Sequence, residues 1–193
     1  MAAHHSLIPN PSKNMTTQTT TPTPLIIDDD GSQDGMTAIA YMLANPQFDV
    51  QAITISNGIA RPEVFDDILL RMLDRLGDLD IPVGVGQSFP LEGNNEFPDF
   101  IREASDTFWS PFVSLPAETP DVETQEAADL IIETIKNSPE PVAILATGPL
   151  TNLAEAIRRD PSIIDNIEVV QMKGGAVLIE GKWPVIRGPP VST

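Results

Sequence analysis

The chain reads as an α/β protein, with a mostly parallel sheet flanked by helices. Three observations predict that class. Short apolar, β-branched runs alternate with amphipathic stretches of about 10–15 residues, the pattern of βαβ units. No apolar run approaches the ~20 residues of a membrane span. Cysteine is absent, which leaves no disulfide framework, thiol nucleophile or cysteine-ligated metal.

The elements follow in order. Leu25-Ile26-Ile27 is a first short strand, too short for a helix and bounded by acids. Gly35 to Asn45 sets Met36, Ile39, Ala40, Met42 and Leu43 at helical spacing, and Asn45-Pro46 stops it. Val50 to Ser56 is β-branched and predicts a strand. Glu63 to Leu76 gives a helical face of Val64, Ile68, Leu69, Met72, Leu73 and Leu76, ended by Gly77. Ile81 to Val85 is a short strand, and Thr124 to Asn137 carries Ala127, Leu130, Ile131 and Ile135 on one helical stripe. Val142 to Ala146 is a buried strand, Leu150 to Arg159 a helix, and Ile167 to Met172 a last strand. The series is Rossmann-like. The irregular stretch from Gly86 to Val122 holds Phe89, Phe97, Phe100, Phe108, Trp109 and Phe112. It is too aromatic for a plain linker and is expected to cover one end of the sheet. Stacking on a planar ligand suits Phe97, Phe108 and Trp109, though core packing suits most of these aromatics better.

Charge marks the boundaries. The 193 residues carry 11 Lys+Arg and 28 Asp+Glu, a net −17. All the acids lie between Asp28 and Glu180, a span with 8 bases and hence a net −20. Such a surface repels phosphate backbones and anionic membranes, so neither nucleic acid nor membrane is an expected partner. Residues 1–24 hold four Pro, six Thr and one charge, Lys13, with no apolar h-region. They read as a disordered lead-in to a cytoplasmic protein. Residues 25–180 form the domain, and 181–193 a Pro-rich irregular tail.

In parallel sheets the chemistry sits beyond the carboxyl ends of the strands. The first strand runs into Asp28-Asp29-Asp30-Gly31-Ser32-Gln33-Asp34-Gly35. Alternation puts Asp28 and Asp30 on one face, and Asp34 arrives at the next helix start. Three converging carboxylates repel one another, and a hard cation such as Ca²⁺ resolves this by collecting oxygen ligands. A water on that ion, beside a carboxylate, is a hydrolytic nucleophile. Asp34 equally suits a helix N-cap. The second junction, Thr147-Gly148-Pro149-Leu150-Thr151-Asn152, places Pro149 in a first helical turn with Thr151 or Asn152 as cap. It also leaves the Thr147 carbonyl at a strand end, where a hard metal can take it. The third, Met172-Lys173-Gly174-Gly175, lets backbone approach a ligand closely or simply turns.

Taken together, the three junctions resemble the inosine–uridine nucleoside hydrolase family. That family has Asp-x-Asp-x-x-x-Asp-Asp after its first strand, Thr-Gly-x-Leu-Thr-Asn in its middle and a Met-Gly-Gly-rich strand end. Ala52-Ile53-Thr54-Ile55-Ser56 is similar to its second strand. The resemblance covers about Leu25 to Glu180. It implies that Asp30 ligates Ca²⁺ and acts as base on its water, and that Asp34 holds ribose hydroxyls. It further implies the Thr147 carbonyl as a calcium ligand, Met172 bordering the ribose, and Asp28 in support. The implied reaction is hydrolysis of a ribonucleoside N-glycosidic bond through an oxocarbenium-like transition state, in a protein of a kind that is commonly a homo-oligomer.

The sequence departs from that pattern. Gly35 stands where the family has a second, calcium-ligating Asp, and Ile59 where it has an Asn. Lys173 replaces a glycine, and Lys182 an Asn. Family members also continue further, into a Glu-x-Asn ribose clamp, another calcium-ligating Asp and often a leaving-group His. The stretch is therefore expected to be the N-terminal part of such a domain. Of its two histidines, His4 and His5, neither has an expected role. Two other readings stand beside this one. A truncated, inactive homologue would bind ribose weakly or serve as an interaction module. A Mg²⁺-dependent haloacid-dehalogenase-type phosphatase would use Asp28-x-Asp30-Gly-Ser, Ile144 to Thr147 and Lys173.

Overall fold

The computed structural model describes residues 21–93, 97–107 and 114–174. His4, His5, residues 94–96, Phe108, Trp109, Phe112, Gly175, Lys182 and the tail lie outside the described residues. The elements are β1 (Thr23–Asp29), α1 (Gln33–Ala44), β2 (Phe48–Ile55), α2 (Pro62–Leu76), β3 (Val83–Val85) and α3 (Asp99–Thr107). They continue with β4 (Gln125–Glu126), α4 (Ala127–Asn137), β5 (Val142–Ala146), α5 (Thr151–Arg159), a 3₁₀ turn (Pro161–Asn166) and β6 (Ile167–Met172).

The six strands form one sheet in the order β4-β3-β2-β1-β5-β6, and every pairing is parallel. The chain steps outward from β1 to β2, β3 and β4, then returns to lay β5 on the other side of β1. The strand order therefore reverses between β1 and β5, which opens a crevice beyond their carboxyl ends. Period-two alternation along β1 feeds two cores. Leu25 and Ile27 pack with Ile53, Ile55, Met36, Ile39, Phe65, Leu69 and Leu73, against α1 and α2. Ile26 packs on the opposite face with Ala52, Ile144, Leu130, Ile131, Ile135, Leu153 and Ile163, against α4 and α5. Among the described residues no helix is long and apolar enough to cross a membrane.

Several boundaries differ from those expected, each for a local reason. β1 extends beyond its apolar core to Asp29, because Asp28 and Asp29 stay in register with Thr54 and Ile55 of β2. α1 begins at Gln33, since the Ser32 hydroxyl accepts the Gly35 N–H at 3.1 Å; Ser32, not Asp34, is the cap. β3 begins only at Val83, after Pro82, whose carbonyl takes the Ile53 N–H. Gln125 and Glu126, read as helix, pair with Gly84 and Val85 as β4 before Glu126 caps α4. Leu150 is the N-cap residue of α5 and makes no side-chain cap bond, so neither Thr151 nor Asn152 caps it. Pro149 precedes that cap and is outside the first turn. Phe89 and Phe100 are exposed rather than packed in a core.

The turn after β1 is shaped by packing. Gly31 has φ 81, and a Cβ there would lie 2.5 Å from Ala60 Cβ and 2.9 Å from Phe65 Cγ. Glycine is needed on both counts. Phe65 is 1% exposed and lies directly under this turn. Phe65→Ala is expected to destabilise the chain by about 3–5 kcal/mol in urea unfolding, with little change in the denaturant slope.

Candidate functional site

The ends of β1, β5 and β6 open into one pocket of about 410 Å³. Asp30, Ser32 and Asp34 line it from the first junction, Thr147 to Leu150 from the second, and Met172 to Gly174 from the third. Ile59 and Phe97 complete its rim. Four of the five residues singled out in the sequence thus meet in one cavity, and the fifth, Asp28, lies beneath it.

Asp28 is fully buried. Its Oδ1 accepts the Thr54 hydroxyl at 2.8 Å and the Asn152 amide at 2.9 Å, while Oδ2 has no partner. Burial pushes its carboxyl up to about 7, against the pull of those two hydrogen bonds. Asn152, read from sequence as a cap, also donates to the Ile55 carbonyl at 3.0 Å. It ties α5 to β1 and β2 at the strand ends.

Asp30 is 7% exposed and sits where the chain leaves β1. Its Oδ2 accepts the Ile59 N–H at 3.2 Å. Gly58 makes that approach possible, for a Cβ there would fall 2.3 Å from the same oxygen. Burial, then the neighbouring Asp29 charge, raise the Asp30 carboxyl to about 6. Asp34 has the opposite environment. Its side chain is 72% exposed and pairs with Lys173 Nζ at 2.8 Å, a hydrogen bond that holds its pKa below the usual value.

The expected convergence of Asp28, Asp30 and Asp34 is therefore corrected. Asp28 lies inside the ladder, opposite Thr54 and bonded to Thr54 and Asn152, and Asp34 rides on the first turn of α1 toward Lys173. Among the described residues, no three carboxylates or imidazoles form one metal-chelating group. The residue the sequence reading missed is Asp29. It is fully buried; Oδ1 accepts the Gly31 N–H at 2.8 Å, and Oδ2 accepts the Thr147 hydroxyl. Burial raises its carboxyl as well. Its sequence signal was indirect: a Gly at position 35, beside which the carboxylate lies.

The acidic acceptors that line the pocket are oxygens: the Asp30 and Asp34 carboxylates, with the peptide of Thr147 beside them. Such a set suits a hard divalent cation rather than a thiophilic or imidazole-seeking one. The buried, unpartnered Asp28 Oδ2 and two adjacent buried carboxylates also favour positive charge at this strand end.

These carboxylates have a consequence for stability. Asp28 and Asp30 titrate near 7 and 6 when folded, against 3.8 ordinarily. The protonated forms favour folding, so their contribution is complete below pH 3.8 and is lost as pH rises through 6 and 7. In buffer with chelator, Tm is expected to fall between pH 5 and pH 8, and Asp28→Asn, which does not ionise, to flatten that fall.

Comparison with known proteins agrees with this geometry. Residues 25–186 match the inosine-uridine preferring nucleoside hydrolase family. The pyrimidine-specific ribonucleoside hydrolases RihA of Citrobacter koseri and of Escherichia coli O127:H6 are each 37% identical over 160 residues, 83% of this chain and 50% of theirs. The chain thus spans about half the length of these curated relatives. Among solved structures, a plant nucleoside hydrolase aligns with TM-score 0.68 at 32% identity, over 80% of this chain and 48% of its own. A purine-preferring ribonucleoside hydrolase from Gardnerella vaginalis aligns with TM-score 0.70 at 28% identity, over 83% and 51%. The match sets the phosphatase reading aside: with its sheet order, its three junctions and these relatives, the chain belongs to the inosine-uridine preferring nucleoside hydrolase family.

Proposed function

We propose that this pocket performs the hydrolytic step on a ribonucleoside, cleaving the N-glycosidic bond to give free base and ribose. The observation that carries this reading is Asp30: a buried carboxylate raised to about 6, opening into the same pocket as Asp34, Thr147 and Met172. A carboxylate held at the pocket floor is placed to take a proton from water in the transition state. Gly58 and the Ile59 N–H fix its orientation.

Asp34 stands at the pocket wall as an acceptor for ribose hydroxyls, and Met172, 58% exposed at the end of β6, offers an apolar surface to the sugar. Asp29, Asp30 and Asp34 together give the cavity a negative field. That field stabilises positive charge developing on the sugar ring as the bond to the base lengthens. Asp30 and the Thr147 carbonyl would hold Ca²⁺. When bound, the ion offsets the carboxylate repulsion and lowers the pKa of a water ligand. Asp28, through Asn152 and Thr54, fixes the strand ends that carry these groups. A second reading, ribose binding without turnover, draws on the Lys173–Asp34 ion pair, which a sugar must displace.

The test measures ribose released from inosine, uridine and adenosine with added Ca²⁺. Asp30→Asn is expected to lower the rate by about 10²-fold or more; equal rates in the two proteins would reject hydrolysis at this pocket. Lys173→Ala is expected to lower KM by up to about fivefold by freeing Asp34, with kcat little changed, as befits a half-exposed ion pair.

A further inference from the structure

We propose that Arg102 is a positioning residue for Asp30, acting through the peptide group between Gly58 and Ile59. The inference rests on the hydrolytic reading above, in which Asp30 is the base. Its basis is one chain of contacts. The Arg102 Nε–H donates to the Gly58 carbonyl at 3.3 Å, and the Ile59 N–H donates to Asp30 Oδ2 at 3.2 Å. That carbonyl and that N–H belong to one planar, trans peptide group, in which they point in opposite directions. Holding one therefore aims the other. A cationic donor on the carbonyl also polarises the group and strengthens its N–H as a donor.

Gly58 makes such a hold necessary. A Cβ there would fall 2.3 Å from Asp30 Oδ2 and 2.4 Å from Asp30 Cβ, so the close approach demands glycine. Glycine also leaves its own backbone the widest choice of dihedral angles, and the peptide plane is not fixed from within. Arg102 supplies the constraint from outside. Its guanidinium donates to Asn57 Oδ1 as well, so it grips the loop at two successive residues. The burial pattern of α3 agrees. Arg102 is its one buried residue, at 6% exposure, while Phe100 is 66% exposed. Anchoring a surface helix by an apolar side chain avoids the cost of desolvating a guanidinium. This helix instead turns its charge inward, onto the loop. α3 is itself braced against the far end of that loop, where Asp106 accepts the Arg61 N–H at 2.9 Å and pairs with the Arg61 guanidinium. Arg102 thus acts from a fixed base.

The test uses the full 193-residue chain, ¹⁵N-labelled, with amide hydrogen exchange at Ile59 and ribose release as its two readouts. Arg102→Met keeps the bulk of the side chain without its donors. Ile59 exchange is then expected to accelerate about tenfold or more, while amides within β1 and β2 keep their rates. Its kcat is expected to fall about tenfold with KM within about twofold of wild type, as for a misaimed base rather than a lost binding contact. Arg102→Lys returns a charged donor and is expected to recover both readouts to within about threefold. Circular dichroism verifies folding; Arg102→Gln, shorter and neutral, replaces the methionine variant if that one does not fold, with the same expectations. Unchanged Ile59 exchange in Arg102→Met overturns the inference, as does a lysine variant no better than the methionine one. Exchange that accelerates alike through the sheet overturns it too, since Arg102 is then only a packing anchor. No ribose release by wild type overturns the hydrolytic reading, and Ile59 exchange by itself then decides whether Arg102 holds the partner of Asp30.

Discussion

The site depends on how β1 is enclosed. This strand pairs with β2 on one edge and β5 on the other, and helices cover both its faces, so from Leu25 to Asp29 it is buried. Its last residues nevertheless carry carboxylates. The backbone there is gripped from both sides: Thr147 N–H donates to the Asp28 carbonyl, Ser56 N–H to that of Asp29 and Ala60 N–H to that of Asp30. With its main chain so held, the strand end has no freedom to swing its acids into solvent. Three consecutive aspartates therefore remain at 0%, 0% and 7% exposure. Their repulsion and desolvation are the electrostatic tension that the pocket, Lys173 and a bound cation all act on.

The cradle is built from absence of bulk as much as from functional groups. Gly58 lets Asp30 reach the Ile59 amide, and Gly31 lets the turn settle on Phe65. Asn152 then bridges α5 to both central strands. A polar network of this kind is satisfied piece by piece from distant parts of the chain, and so it forms only when the crossover that brings β5 beside β1 is complete. Fold and site are in that sense one event.

Much of this was legible in the sequence. Strands buried on both faces leave continuous apolar runs, as at Val142 to Ala146, and amphipathic helices leave their stripe, as at Glu63 to Leu76. The carboxyl ends of those strands pointed to Asp30, Asp34 and Thr147, and the family resemblance added Met172; all four line one pocket. Asp29 was missed, because alternation along a strand assigns it to the face away from Asp30. Asn152 was hidden by a competing role, since an Asn at a helix start usually caps. Lys173 stood out as a departure from pattern, but its partner Asp34 is 139 residues away, a distance over which periodicity carries no information.

The closeness of the Asp29 carboxylate to Gly35 couples two distant parts of the site. A Cβ at position 35 would fall 1.9 Å from Asp29 Oδ2, so any larger residue there has to displace that carboxylate from the Gly31 N–H and the Thr147 hydroxyl. A substitution on the first turn of α1 is therefore felt both at the turn after β1 and at the end of β5.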